Sequence, residues 1–340
     1  MIGRQIILDE LAGKEAAALI VDGQLHDLLV DSDAPRVGAI YRAVAERPMK
    51  GQGGLFLRTP DGQAFLRQVK GIAPGDTMLV QVTGYAEAGK ALPVTQKLLF
   101  KSRFAIVTPD APGLNISRKI RDEGLRDTLL AIAHDVMDGV EMGLILRSSC
   151  EGADADEIAE DIAAMADLAQ AVVADAEGAP EKLTEGEGPH GLAWRDWVEP
   201  AQIVTEPGGF AAHGVLDLIA DARGPQVRLS GGASMFVEPT RALVAVDVNT
   251  GGDTSPAAAL KANIAAARDL PRLLRVRGLG GQITMDLAPM PKKDRRSFEM
   301  ALKAAFRTDQ IETVMAGWTP LGHYELQRKR ERLPLSDALS

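Results

Sequence analysis

Apolar and polar positions alternate most clearly over residues 242–249, where Ala242, Val244, Val246 and Val248 fall on one face of a strand and Leu243, Ala245, Asp247 and Asn249 on the other. Asp247 and Asn249 therefore point the same way at the strand's C-terminal end. Gly251 and Gly252 break the strand, and Thr254, Ser255 and Pro256 supply cap candidates and a first-turn proline. An Ala-rich helix is expected next, with Leu260, Ile264 and Ala267 on one stripe, a kink at Pro271, and an end at Gly278, Gly280 and Gly281. The following strand, 282–286, again finishes on an aspartate. Strand, helix, strand is a right-handed crossover, so the two strands are expected to be parallel, with both carboxylates at one sheet edge. As neighbours about 4.8 Å apart, Asp247 and Asp286 could share a hard cation, and two carboxylates beside an amide suit magnesium. The plainer alternative, turn-forming aspartates at strand ends, stays open.

Shorter patterns fill the rest of the chain. Strands are expected at 5–8, 16–21 and 24–30, with an Asp22-Gly23 hairpin turn. Five more, at 39–44, 54–58, 63–66, 77–82 and 93–98, suit a small barrel of the oligonucleotide-binding type. A strand at 104–108, a helix at 123–137 and a strand at 142–148 follow. The acidic helix at 154–176 places Ile158, Ile162, Met165 and Leu168 or Ala169 on one stripe. Residues 177–189, rich in Gly, Pro and Glu, read as a mobile loop, and 210–222 as one helix. Past Met290, a helix should turn Phe298, Leu302, Ala305 and Phe306 inward and expose Lys293, Arg295 and Arg296, before a strand at 312–316 and a basic run at 325–332.

At 340 residues the chain can hold two or more domains, and its 46% hydrophobic and 25% charged content is that of an ordinary soluble protein. No apolar run is long enough to span a bilayer and the start lacks the layout of a secretory signal, so a cytoplasmic location without membrane attachment is expected. The single Cys150 excludes an internal disulfide and a cysteine cluster for zinc. A net charge of -9 argues against a nucleic-acid partner until its distribution is considered: residues 151–187 carry twelve acids against Lys182 alone. Basic residues gather instead between Lys97 and Arg126 and between Lys292 and Arg332, which a phosphate track would need, although charge clusters are most often solvated faces.

DVNTGG from Asp247, LRVRGLGG from Leu274, the strand ending in Asp286 and LGHYELQRKRER from Leu321, in that order and spacing, resemble the catalytic half of the ribonuclease E/G family. The resemblance implies an α/β multi-subdomain fold. Its parts would be a shortened ribonuclease H-like scaffold (1–36 and 180–225), an inserted OB-type β-barrel (37–100), a 5′-end sensor region (101–179) and a DNase-I-like α/β catalytic subdomain (226–340). Family members clamp single-stranded RNA with two barrel aromatics and a loop lysine. Phe65 and Lys90 match; even spacing puts Leu55 at the other aromatic position, and a one-residue shift puts Phe56 there. On the residues alone, barrel core is the preferred reading of Phe56 and Phe65. Lys292 and Arg295 match basic residues near the metal. Arg147, Ser148 (where threonine is usual) and Arg328 match the sensor for a 5′-monophosphate, while Pro320 stands where arginine is frequent.

The implied activity is magnesium-dependent endoribonucleolytic cleavage of single-stranded RNA, leaving 5′-phosphate and 3′-hydroxyl ends. Asp247 and Asp286 would hold Mg2+, with Mn2+ able to substitute, and Asn249 would orient water or the scissile phosphate. His323 lies where the family is apolar and is given no role. The family's Cys-Pro-x-Cys motif is absent from the sequence, so neither zinc nor a zinc-linked dimer is expected; the sequence does not set the oligomeric state. Two other readings compete: a catalytically weak RNA-binding relative, and an aspartate-dependent phosphatase, whose nucleophile strand Asp247-Val248-Asn249-Thr250-Gly251 also resembles.

Overall fold

Three antiparallel strands open the chain: β1 (Arg4–Leu11), β2 (Lys14–Val21) and β3 (Gln24–Val30). Asp22 and Gly23, both at positive φ (49° and 78°), make the tight turn expected between β2 and β3. The computed structural model describes residues 3–49, 53–67, 71–87 and 89–339. It divides into two compact units, Met1–Ser32 with Pro200–Ser340, and Asp33–Glu199.

The inserted unit begins with β4 (Ile40–Met49), β5 (Gly54–Thr59), β6 (Gly62–Leu66), β7 (Thr77–Val82) and β8 (Leu92–Thr95). Strand order β4-β5-β6-β8-β7, with β7 pairing back to β4, closes the expected five-stranded barrel around Tyr41, Leu57 and Val80. Next come β9 (Phe100–Lys101), β10 (Ala105–Thr108), β11 (Gly113–Ile116), α1 (Glu123–Val136), β12 (Gly143–Leu146) and α2 (Ala155–Ala174). The sheet β11-β12-β10-β9 buries its apolar residues with those of both helices. On α2 the inward stripe is Ile158, Ile162, Ala166, Ala169 and Val172, so Ala169 completes it and Leu168 faces out. The segment expected to be a mobile loop contains β13 (Glu181–Thr184), which pairs with β4 and is fastened by Arg42 to Asp175 and Glu181. Four residues of mixed polarity carry no readable alternation, so the open edge of β4 decides their conformation. Helix α3 (Pro189–Asp196) ends this unit.

Returning to the first unit, β14 (Gln202–Val204) adds in parallel to β1. The helix expected at 210–222 is two, α4 (Gly209–Ala212) and α5 (Val215–Arg223), because Gly214 between them is left-handed. A six-stranded sheet then forms from β15 (Gln226–Arg228), β16 (Ser234–Pro239), β17 (Val244–Asn249), β18 (Gly281–Asp286), β19 (Thr313–Trp318) and β20 (Tyr324–Arg328), in the order β15-β16-β17-β18-β20-β19. Helices α6 (Pro256–Val276) and α7 (Arg295–Arg307) contribute to the core on one face; the short α8 (Leu335–Ala338) follows. Val244, Val246 and Val248 face this core, together with Ala262, Ala266, Leu270, Phe298 and Leu302. The buried stripe of α6 includes Ala259, Ala266 and Leu270, while Leu260 and Ile264 are only half-buried, and the helix continues through a buried Pro271. Among the described residues no helix is long and apolar enough to cross a membrane.

Asp309 anchors ion pairs inside this unit. Arg328 and Asp309, whose side chains have no exposed surface, meet at 3.2 Å, and Asp309 also holds Arg275 at 3.0 Å. Removing the carboxylate leaves Arg328 charged and enclosed, so Asp309→Ala should lower stability by about 3–5 kcal/mol. Urea denaturation followed by circular dichroism measures it.

Candidate active site

The register of β17 on β18 sets Asp247 directly opposite Asp286. Opposed residues on adjacent strands project from the same face, and the valines between them fill the other, so both carboxylates stand on the face turned away from the core. Both are exposed, with 69% of the Asp286 side chain open to solvent. Asn249, two positions along β17, shares that face, and its Nδ2 donates to Asp247 Oδ2 at 2.8 Å. The three residues expected to be catalytic thus lie together at the C-terminal ends of two parallel strands, where open α/β sheets place their ligands.

Three further residues shape this edge. Asn263, fully buried on α6, donates to the carbonyl of Ala288 at 2.8 Å and accepts from its N–H at 3.0 Å, fixing the chain two residues past Asp286. An asparagine in an Ala-rich helix reads as a surface position; its signal was its place on the stripe with Ala259, Ala266 and Leu270. His323 precedes β20, and because Tyr324 pairs with Met285 its Nδ1 comes within 3.4 Å of Asp286 Oδ1. The resemblance gives His323 no role, since the family is apolar there; its place beside Asp286 comes from the pairing of β18 with β20, two segments distant in the chain. Arg295 lays its guanidinium 4.1 Å from the Trp318 ring centroid and is half-buried, not on an exposed face as expected. Phe298, Trp318 and Tyr324 pack with centroids 5.2 to 5.9 Å apart, tying the start of α7 to the β19–β20 hairpin. Lys292 and Lys293 are exposed just before α7.

Among the described residues no group of three or more His, Cys, Asp or Glu side chains could hold a metal. A pair of solvent-facing carboxylates nevertheless fits a hard cation such as magnesium, which is commonly held by one or two carboxylates and completes its shell with water and phosphate oxygens.

In the inserted unit, Phe56 and Phe65 face each other across β5 and β6, with ring centroids 5.3 Å apart and planes tilted by 52°. Both are half-buried and outside the barrel core, whereas Leu55 and Leu57 lie inside it, so it is Phe56 and not Leu55 that accompanies Phe65. The Phe65 ring lies over Gly54, where a Cβ would sit 2.2 Å from it. Lys90 is exposed and paired with Glu87 at 2.5 Å; it precedes β8, whose Pro93 is the partner of Phe65. Arg147 follows β12 and spends its guanidinium internally, on Asp196 at 2.8 Å and on the carbonyls of Ser102 and Arg195. Burial opposes ionisation of Asp196, but Arg195 and Arg147 prevail and hold its carboxyl below the usual range. Ser148 opens the short turn Ser148–Cys150. A phosphate could take the Arg147 fork only by displacing Asp196, and could reach Arg328 only by displacing Asp309.

A model of the Ribonuclease E/G family matches residues 100–203 and 195–331, more than half of the chain. The chain belongs to the ribonuclease E/G family. It is 27% identical to ribonuclease E of Nostoc sp. and 26% identical to that of Synechocystis sp., over 96% of the chain and 56% and 57% of those proteins. Ribonuclease G of Escherichia coli strain K12 is 24% identical over 98% of the chain and 81% of that protein. The chain therefore spans little more than half the length of the two ribonuclease E relatives. In this ribonuclease E/G member the matched residues include Asp247, Asn249 and Asp286, while Phe56, Phe65 and Lys90 precede them.

Asn263→Ala would strand a buried N–H and a buried carbonyl at Ala288. The expected cost is about 1–3 kcal/mol for each group left unpaired, read as a fall in urea midpoint at unchanged slope.

Proposed function

We propose that this chain is a magnesium-dependent endoribonuclease that cuts single-stranded RNA and leaves 5′-phosphate and 3′-hydroxyl ends. The observation that carries this reading is the register pair Asp247–Asp286. Like charges directly opposite one another on neighbouring strands destabilise a sheet. A sheet that keeps two of them in solvent, with no cationic side chain paired to Asp247 among the described residues, supports a role for a cation from solution. The relatives, ribonuclease E and ribonuclease G, suggest the substrate class.

Asp247 and Asp286 would hold Mg2+, with Mn2+ able to replace it. Bound there, the ion would polarise a phosphate oxygen and lower the pKa of the attacking water. One Asn249 N–H is used on Asp247, which leaves the second to orient the scissile phosphate or the water. Arg295, held over the Trp318 ring, would offer its guanidinium to phosphate, and Lys292 would add a second positive charge. In the barrel, Phe56 and Phe65 offer ring faces to bases, each stack worth about 1–3 kcal/mol, with Lys90 exchanging Glu87 for a phosphate. Arg147 and Ser148 would read a 5′-monophosphate that replaces Asp196. Arg328, enclosed with Asp309, keeps a packing role in this reading.

Neutralising either carboxylate separates this proposal from a binding-only relative. Asp247→Asn should cut cleavage of a single-stranded RNA at least about 100-fold and leave its affinity within a few fold. Magnesium should raise the melting temperature of the unaltered chain by preferential binding to the folded state but not that of Asp247→Asn. Equal cleavage by both proteins would sink the proposal. Trapping of a phosphoryl group on Asp247 with a small phosphate ester would favour the phosphatase reading instead.

End sensing has its own test. Arg147→Ala should erase the preference for a 5′-monophosphorylated over a 5′-hydroxyl RNA in competition cleavage. Equal loss on both substrates would assign Arg147 to the fold alone.

A further inference from the structure

A cavity of about 650 Å3 opens between α6, the turn after β15 and the loop that follows Asn249. That volume lies within the range of roughly 300–1,000 Å3 usual for small-molecule sites. Arg228, Lys261 and Arg268 line it; all three are exposed and, among the described residues, none has an ion-pair partner. Of the two lining acids, Asp269 is held by Arg272 at 2.7 and 2.8 Å, so Asp253 alone stands against three cations. The wall is therefore net positive in a chain whose net charge is -9. Leu229, Ile264 and the alanines of α6 give it an apolar floor, and the short alanine side chains leave the space open.

The cavity adjoins the catalytic edge through the sheet itself. Arg228 pairs with Ser234, and Ser234 with Asn249, so Arg228 lies in the same row as Asn249 and on the same face, two strand spacings or roughly 10 Å away. Thr250, next after Asn249, belongs to the cavity wall. Lys261 and Arg268 reach the cavity from α6, on the opposite face of the sheet, so a strand engaged at Asp247 and Asp286 enters it by passing Arg228 and Thr250 at the end of β17.

We infer that this cavity holds the nucleotide flanking the scissile phosphate, with its phosphate on Arg228, Lys261 and Arg268 and its sugar and base against Leu229 and Ile264. The inference rests on the ribonuclease reading above. It identifies a cationic subsite separate from the barrel aromatics and from Lys292 and Arg295.

The test measures binding of a labelled single-stranded oligoribonucleotide by fluorescence anisotropy across a salt series. The full chain carries Asp247→Asn to prevent cleavage, with and without Arg228→Gln, Lys261→Gln and Arg268→Gln together. Loss of the one phosphate that the three cations neutralise together should make the slope of log affinity against log salt shallower by about 0.7, the single-strand value per phosphate. Affinity at low salt should fall at least about tenfold, and Arg228→Lys with Arg268→Lys should keep the original slope. Unchanged affinity and slope in the triple glutamine variant overturn this inference alone. Failure of the folded Asp247→Asn chain to bind any RNA overturns the ribonuclease reading and this inference with it.

Discussion

Backbone hydrogen bonding between β17 and β18 holds Asp247 against Asp286, an arrangement that their own charges oppose. The sheet tolerates it because each strand also buries valine, isoleucine or methionine on its inner face, and that burial outweighs a solvent-screened repulsion of about 1 kcal/mol. Parallel alignment follows from α6, which carries the chain back along the sheet and brings both strands to the same edge. Asn249, Asn263 and His323 acquire their positions from this pairing or from the strand next to it.

Small side chains on α6 serve two ends. Ala259, Ala262, Ala266 and Ala267 let the helix lie close to the sheet, where Asn263 can reach the backbone of Ala288. On its outer side the same economy of side-chain volume leaves the cavity between Lys261 and Arg268. The helix thus supports the carboxylates from beneath and leaves a charged recess beside them. At the other side of the edge, the packing of Phe298, Trp318 and Tyr324 gives Arg295 a flat surface that limits its rotamers.

Arginines divide by what surrounds them. Arg328 and Arg147 stand at positions that resemble a phosphate sensor, but the fold gives one to Asp309 and the other to Asp196. Arg228 and Arg268 belong to no motif of that kind and, among the described residues, have no carboxylate partner. A guanidinium committed to a buried carboxylate is costly to release, whereas an exposed one exchanges only water and counter-ions for phosphate.

Periodicity was enough to read β17, β18, the barrel strands and the shared face of Asp247 and Asn249, because alternation records which face is buried. It also sufficed for the inward Phe298, Leu302 and Phe306 of α7. Spacing could not choose between Leu55 and Phe56, which differ by one residue and hence by one face; the β5–β6 register made that choice. Nor could it show β13 in a supposed loop, the break at Gly214, the buried Asn263 or His323 beside Asp286. Each of these depends on a partner distant in the chain, and a local pattern carries no record of which distant segment will supply the missing hydrogen bond or neighbouring charge.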